Sequence, residues 1–417
     1  MDMKRKFKVK NLIILFIILL VGSVLIFYLT KDKADLSNKK PNEEERQEEI
    51  TDFKGLSLAS VDEYVKKKNL TLKIDYDYNE EIEKDKVIDF KLNDNNLDIV
   101  VSLGSMPIEL FKEKKVNELG KVPIMMYHGI VNTTENKYTG GNVDKDGYNR
   151  TSQAFKEDLE FYYEQGYRMV RLIDYIKGDI KVELGYSPII LTFDDGNANN
   201  FQVIGKNEDG SLKFDPKSAI GILEEFKKNH PDMNVTATFF LNSGLCNQPE
   251  YNEEIMKWLV DNGYDVGNHT TNHANFSSIS QSKTQEVVGK MYQKFDEIIP
   301  DKYVKIIALP FGSPYKKSHS NYPYILKGEY NGYSYETIGA LRVGWESEVS
   351  PFSQDFDPTF LKRCRAYDNN GVEFDIEMNF KLLKANRFIS DGNKDYITIP
   401  KDLENKVQET SLKIITY

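Results

Sequence analysis

The chain runs to 417 residues, 40% of them hydrophobic and 12% aromatic. That is room for two or more domains with at least one full core, and it is too apolar for a disordered protein. The formal charge is -10, from 55 Lys+Arg against 65 Asp+Glu, which argues against nucleic acid and polyanions as partners and leaves neutral glycans open.

Residues 1–11 form a basic tail carrying Lys4, Arg5, Lys6, Lys8 and Lys10. Leu12 to Leu29 follows without a single charge. At the helical rise this stretch spans about 27 Å, close to a bilayer core. Residues 12–30 are therefore expected to form one transmembrane helix, with the basic flank in the cytoplasm and the rest outside. A cleaved signal peptide is the rival, but its apolar region is usually shorter, and no A-x-A-like site follows. The expected place is the cell membrane, single-pass, with the catalytic domain extracellular. Residues 31–50 are charged and nearly free of apolar side chains, which is linker chemistry.

From about residue 51 the pattern changes. Phe53-Lys54-Gly55-Leu56-Ser57-Leu58 precedes a helical stretch through Val61, Tyr64 and Val65. Two strand-like runs follow, Leu70–Ile74 and Leu97–Gly104. The segments G-L-S-L-A-S, K-K-N-L-T-L-K and I-V-V-S-L-G resemble a PASTA domain, a small α+β wall-associated module, over residues 51–105. A plain spacer holding the next domain off the membrane suits the same text.

The main domain, expected over residues 121–400 with a tail at 401–417, opens on Val122-Pro123-Ile124-Met125-Met126-Tyr127-His128. Apolar runs at 123–127, 168–172, 188–193, 235–241, 264–268, 305–310 and 337–343 read as strands. Lys156–Tyr163 and Ala219–Lys228 read as helices between them. This alternation predicts an α/β fold with a parallel sheet or barrel, whose catalytic groups gather at the C-terminal strand ends. Residues 197–217 read as a polar loop insertion beside the site. Cys246 and Cys364 are too few for a disulfide framework, and pairing or free thiols both remain open.

Two clusters carry chemistry. Leu191-Thr192-Phe193-Asp194-Asp195-Gly196 puts adjacent carboxylates at a strand end, where Gly196 allows a tight turn. Asn268-His269-Thr270-Thr271-Asn272-His273 places two imidazoles four residues apart, on one face of a helical turn if one forms. Two neutral nitrogens and one carboxylate leave open positions on a zinc-like ion, and a second carboxylate then serves as base. Asp195 as ligand with His269 and His273, and Asp194 as base, divides those roles. No G-x-S-x-G elbow and no phosphate-cradling G-x-x-x-x-G-K is present. A glycosidase using Asp194 leaves the paired histidines unexplained.

T-F-D-D-G, H-T-T-N-H and the P-I-M-M-Y-H opening resemble the polysaccharide deacetylases, the NodB-homology group or carbohydrate esterase family 4. The resemblance implies a distorted (β/α) barrel of about seven strands and a divalent metal, Zn2+ for preference. It implies removal of acetyl groups from glycans such as peptidoglycan or poly-N-acetylglucosamine. It matches Asp194 to the base and Asp195, His269 and His273 to the metal ligands. It matches Ala308-Leu309-Pro310-Phe311 to the third motif, where the backbone N–H at Phe311 helps hold the oxyanion. Two departures stand out. Ala308 occupies the place of an arginine that orients the base, and the C-terminal Leu-x-His that supplies the acid is absent, since no histidine follows Phe360. His128, at the end of the first strand, is the best substitute acid. Trp345 lies where a fourth motif is to be sought, without its acidic companions. The expected partners are a glycan and the membrane, with no nucleic acid. The alternative is a wall-glycan-binding or sensing protein that keeps the fold and has lost efficient turnover.

Overall fold

The computed structural model describes residues 50–131, 148–180 and 182–417. The expected anchor, its basic flank and nearly all of the linker lie outside them. Among the described residues no helix is long and apolar enough to cross a membrane. The chain divides into two compact units, Met1–Ser105 and Met106–Tyr417.

In the first unit a helix, Leu58–Lys68, is capped by the Ser57 side chain and ends at Asn69 in the left-handed conformation. It covers a sheet of β1 (Thr71–Asp77), β2 (Val87–Asn93) and β3 (Asn96–Ser102) in the order β1-β3-β2. Phe53, Val61, Val87, Leu97, Ile99 and Val101 are its buried core. The expected helix-strand-strand order missed β2. That strand is masked in the sequence because its outer half carries Lys91 and Asn93 and lies exposed.

The second unit is built on strands β4 (Ile124–Tyr127), β5 (Gly129–Val131), β6 (Asn149–Thr151), β7 (Tyr167–Met169) and β8 (Ser187–Phe193). Next come the hairpin β9 (Val203–Lys206) and β10 (Leu212–Phe214), then β11 (Thr238–Leu241), β12 (Asp265–Asn268) and β13 (Ile306–Ala308). A second hairpin, β14 (Lys327–Tyr330) and β15 (Tyr333–Glu336), precedes β16 (Gly339–Leu341) and β17 (Cys364–Arg365). The C-terminal pair is β18 (Tyr396–Ile399) and β19 (Lys413–Thr416).

One parallel sheet runs β16-β13-β12-β11-β8-β4-β17, with β7 docked on the start of β8. A lone parallel bridge, Leu341–Leu361, links β16 to the segment that leads into β17, so the sheet curls until its ends nearly meet. Strand residues alternate between two apolar layers. Ile124, Ile190, Phe240, Ile306, Leu341 and Leu361 face inward. Met125, Leu191, Phe239, Val266, Ile307 and Cys364 face the helices. Each of the seven expected runs contains a strand with trimmed bounds, but the sheet has eight, because β17 joins it beside β4. The run at 168–172 ends early as strand, because Leu172 already opens the helix Leu172–Lys177. Residues 197–217 are more than a loop, since β9 and β10 pair across Asp209-Gly210. Both cysteines are buried and free.

Candidate metal and hydrolytic site

β8 is buried throughout and delivers Asp194 on its inward face, just past Phe193. The chain then turns through Asp195 and Gly196, both at positive φ. A Cβ on Gly196 would lie 1.9 Å from the Leu245 carbonyl oxygen, so only glycine fits this turn. Asn242 and Asn247 donate to the carbonyls of Asp195 and Gly196 at 3.0 and 2.8 Å and fix its path.

His269 and His273 do come together, but not on a helix. Thr270 and His273 have positive φ. The Asn268 side chain accepts from the Thr270 N–H at 2.8 Å, and the Thr270 hydroxyl accepts from the Ala274 N–H at 3.1 Å. These local bonds replace the helical ladder that the spacing of four suggested.

Asp195 Oδ1 lies 3.2 Å from His269 Nε2 and 3.4 Å from His273 Nε2. Ligand atoms of the three residues all fall within 4.8 Å of one another. His269 Nδ1 sits 2.8 Å from the Ala308 carbonyl, an acceptor only, so Nδ1 carries the proton and Nε2 presents its lone pair. That Nε2 is buried and has no hydrogen-bond partner. An orphaned buried nitrogen, held in the ligating tautomer beside a carboxylate and a second imidazole, fits a divalent cation. Asp195, His269 and His273 would hold it.

Asp194 faces the other way, into protein. Arg363, fully buried in the segment before β17, donates to both its carboxylate oxygens at 2.8 and 2.7 Å. The remaining guanidinium contacts go to Thr192 Oγ1 and the Arg342 carbonyl. Burial pushes the Asp194 carboxyl up, but Arg363, with smaller contributions from His269 and His128, outweighs it and holds the group well below the usual carboxylate range. Asp194 is thus held by an arginine, Arg363, that comes from a different strand than the one ending at Ala308. Sequence reasoning missed it, because nothing local links a lone Arg to an Asp 169 residues away.

His128 follows β4 as expected, with Nε2 3.9 Å from Asp194 Oδ2 and its ring against Tyr148. The Asn200 amide donates to its carbonyl at 2.7 Å. Its pKa moves down, not up as a neighbouring carboxylate alone would dictate. Burial lowers it and outweighs Asp194 and Asp195. Phe311 lies past β13 at positive φ, half-exposed, with its ring 4.5 Å from that of His273. Trp345 is half-exposed and faces Phe374. His230 and His319 take no part. His230 packs on Phe226 and Tyr163, and His319 Nδ1 accepts from the Asn321 N–H.

Residues 181–323 match the family model for polysaccharide deacetylase. A peptidoglycan-N-acetylglucosamine deacetylase of Bacillus cereus is 29% identical over 126 residues, which is 28% of this chain and 37% of that relative. The match thus spans little more than a third of the relative's length. Among solved structures, a Streptococcus pyogenes deacetylase in complex with acetate aligns with 60% of this chain and 93% of its own, at 16% identity and a TM-score of 0.43. A polysaccharide deacetylase from Bacillus cereus aligns with 63% of this chain and 68% of its own, at 19% identity and the same TM-score. The deacetylase-matched stretch contains Asp194, Asp195, His269, His273 and Phe311, while His128 and Arg363 lie on either side of it.

Proposed function

We propose that this protein is a membrane-anchored, extracytoplasmic, metal-dependent deacetylase that removes acetyl groups from N-acetylated cell-wall or exopolysaccharide glycans. The observation that carries the reading is the division of labour between adjacent carboxylates. Asp195 faces two imidazoles, and Asp194 is kept ionised by Arg363 beside them.

A divalent ion, zinc by the chemistry of its donors, would supply Lewis acidity to the acetyl carbonyl and to the attacking water. Asp194 accepts the proton of that water as its oxygen bonds the carbonyl carbon. The C–N bond then breaks, acetate departs, and the sugar nitrogen must gain a proton. His128 Nε2, within 4 Å of Asp194, is placed to pass that proton on. Because burial keeps its imidazole neutral near pH 7, it acts by relay instead of holding a proton in advance. The Phe311 backbone N–H supports the developing oxyanion. Anchoring and orientation rest on the uncharged stretch Leu12–Leu29 and its basic flank, and a PASTA-like role for the first unit rests on its three quoted sequence segments.

The glycan-binding alternative leans on the PASTA-like module and on two missing groups, and Arg363 answers for one of those groups. The test is acetate release from a panel of N-acetylated glycans, with metal content measured in wild type, Asp195→Ala and His269→Ala. The expected result is turnover that requires the metal and is lost with it. Undiminished metal in both variants, or no acetate from any glycan, would overturn the assignment.

A further inference from the structure

Seven arginines fall among the described residues, and six of them are matched. Arg150, Arg168, Arg171 and Arg363 pair with Asp158, Asp232, Asp265 and Asp194. Arg342 lies over the Phe360 ring, and Arg387 lies over Tyr167 and donates to the Gln165 carbonyl. Arg365 has neither carboxylate, carbonyl nor ring among the described residues. Its Nε is buried without a hydrogen-bond partner, although the residue as a whole is only partly buried.

Its place in the sheet gives that vacancy a direction. Arg365 is in register with Met126, and Cys364 with Met125. Cys364 and Met125 belong to the helix-side layer, whereas Leu361 and Ile124 belong to the inner one. By strand alternation Arg363 and Arg365 share the inner face. Two residues of strand place Arg365 about 6–7 Å nearer the C-terminal ends than Arg363, which already reaches Asp194. The unmatched cation therefore belongs to the layer at the mouth of the site, one step outside the buried pair. Gly344 packs so closely on the Arg363 backbone that a Cβ there would lie 2.7 Å from its carbonyl oxygen. The next residue, Trp345, exposes nearly half of its surface.

A partly buried guanidinium whose enclosed Nε has no partner is a ready donor for an anion that a ligand supplies. Planar, bidentate recognition suits a carboxylate or a phosphate oxygen pair. We infer that Arg365 is a specificity-determining contact for one anionic substituent on the glycan, a carboxylate or a phosphodiester on the sugar next to the acetylated one. This rests on the deacetylase reading and narrows it. The overall charge of -10 still disfavours dense polyanions, and a single cation at the mouth selects for one anion near the scissile amide.

The test uses the full-length, metal-loaded chain and three N-acetylated oligosaccharides of equal length: neutral, hexuronate-containing and phosphodiester-containing. Wild type should show a KM for one anionic oligosaccharide about tenfold or more below that for the neutral one, narrowing in high salt. Arg365→Gln should raise that KM about ten- to a hundredfold, at least tenfold more than it raises the neutral one. Which anionic oligosaccharide responds identifies the anion. Arg365→Lys should recover part of the loss, which a folding defect would not permit. Equal losses on all three oligosaccharides, or an unchanged anionic-to-neutral ratio, would overturn the inference. If no oligosaccharide is deacetylated, the deacetylase reading fails, and calorimetric binding decides this one separately. Tighter binding of an anionic oligosaccharide that disappears in Arg365→Gln supports it, and binding indifferent to the substitution refutes it.

Discussion

Asp194 and Asp195 are chain neighbours with the same side chain, and they live in opposite environments. Asp194 is 1% exposed and clamped by a fully buried guanidinium. Asp195 keeps a third of its side chain exposed and turns it to two imidazoles. The strand aims the first and the left-handed turn aims the second. A one-residue shift along the chain thus separates a carboxylate satisfied by a buried guanidinium from one that faces two imidazoles.

Replacing each by asparagine should pull the two apart. Asp195→Asn should strip most of the bound metal and lower kcat/KM on the order of a thousandfold, with thermal stability of the metal-free protein within about 1 kcal/mol of wild type. Metal analysis and acetate release check the first half, and a melt in chelator checks the second. Asp194→Asn should reverse the pattern. Metal content stays high, activity still falls, and about 3–5 kcal/mol of stability is lost because Arg363 remains buried without its counter-charge. Denaturant titration of the two variants side by side is the measurement, and equal stability losses would erase the distinction between them.

The Asp194 side also contains His128, which sharpens the comparison at the level of the leaving group. His128→Gln should cost about a hundredfold on an N-acetyl glycan. An activated aryl acetate, whose leaving group departs without a proton, should suffer far less. Equal losses on both substrates would reduce His128 to a residue that orients Asp194.

Much of this was legible beforehand. The apolar runs at 123–127 and 188–193 became β4 and β8 almost residue for residue, because fully buried strands leave an uninterrupted apolar signature. The juxtaposition of Asp195, His269 and His273 was legible because an Asp-Asp strand end and a spaced pair of histidines fall at the C-terminal ends of two strands of one parallel sheet. The turn that assembles it was not. A spacing of four suggested a helix, and the outcome was set by an Asn268 side chain competing for backbone bonds. Arg363 and Arg365 were hidden for a different reason. β17 is two residues long, too short for any periodicity, and its neighbours in space are separated from it by most of the domain.

A smaller prediction concerns a carboxyl that no hydrolytic reading needs. Glu118 is buried and accepts from the Thr398 N–H at 2.8 Å, close to Asp391. Burial first, and the charge of Asp391 second, raise its pKa well above the usual carboxylate value. Its folded value lies above its unfolded one, so its contribution to stability is complete below about pH 4 and fades as pH rises toward the folded value. Glu118→Gln should flatten that decline, with the oxygen kept on Thr398 and the amide turned to Asp391. The difference between melts at pH 5 and pH 8 should be smaller in the variant than in wild type. The same spread in both would assign the pH dependence to other groups.

The pairing of Arg363 with Asp194 also bears on the order in which the molecule comes into being. A chain emerging N-terminus first presents Asp194, Asp195, His269 and His273 long before the last strand of the sheet. Lys121, just ahead of β4, bridges to Arg387, and the Tyr417 hydroxyl donates to the Val116 carbonyl across 301 residues. Contacts of such span form late, because their loop entropy must be met before they return anything. A partly emerged chain therefore has both carboxylates and both imidazoles and lacks the clamp that keeps Asp194 ionised and aimed. On the proposed deacetylase reading, competence would arrive only with the last eighth of the polypeptide, and a truncated or unfinished product would be silent instead of indiscriminately active.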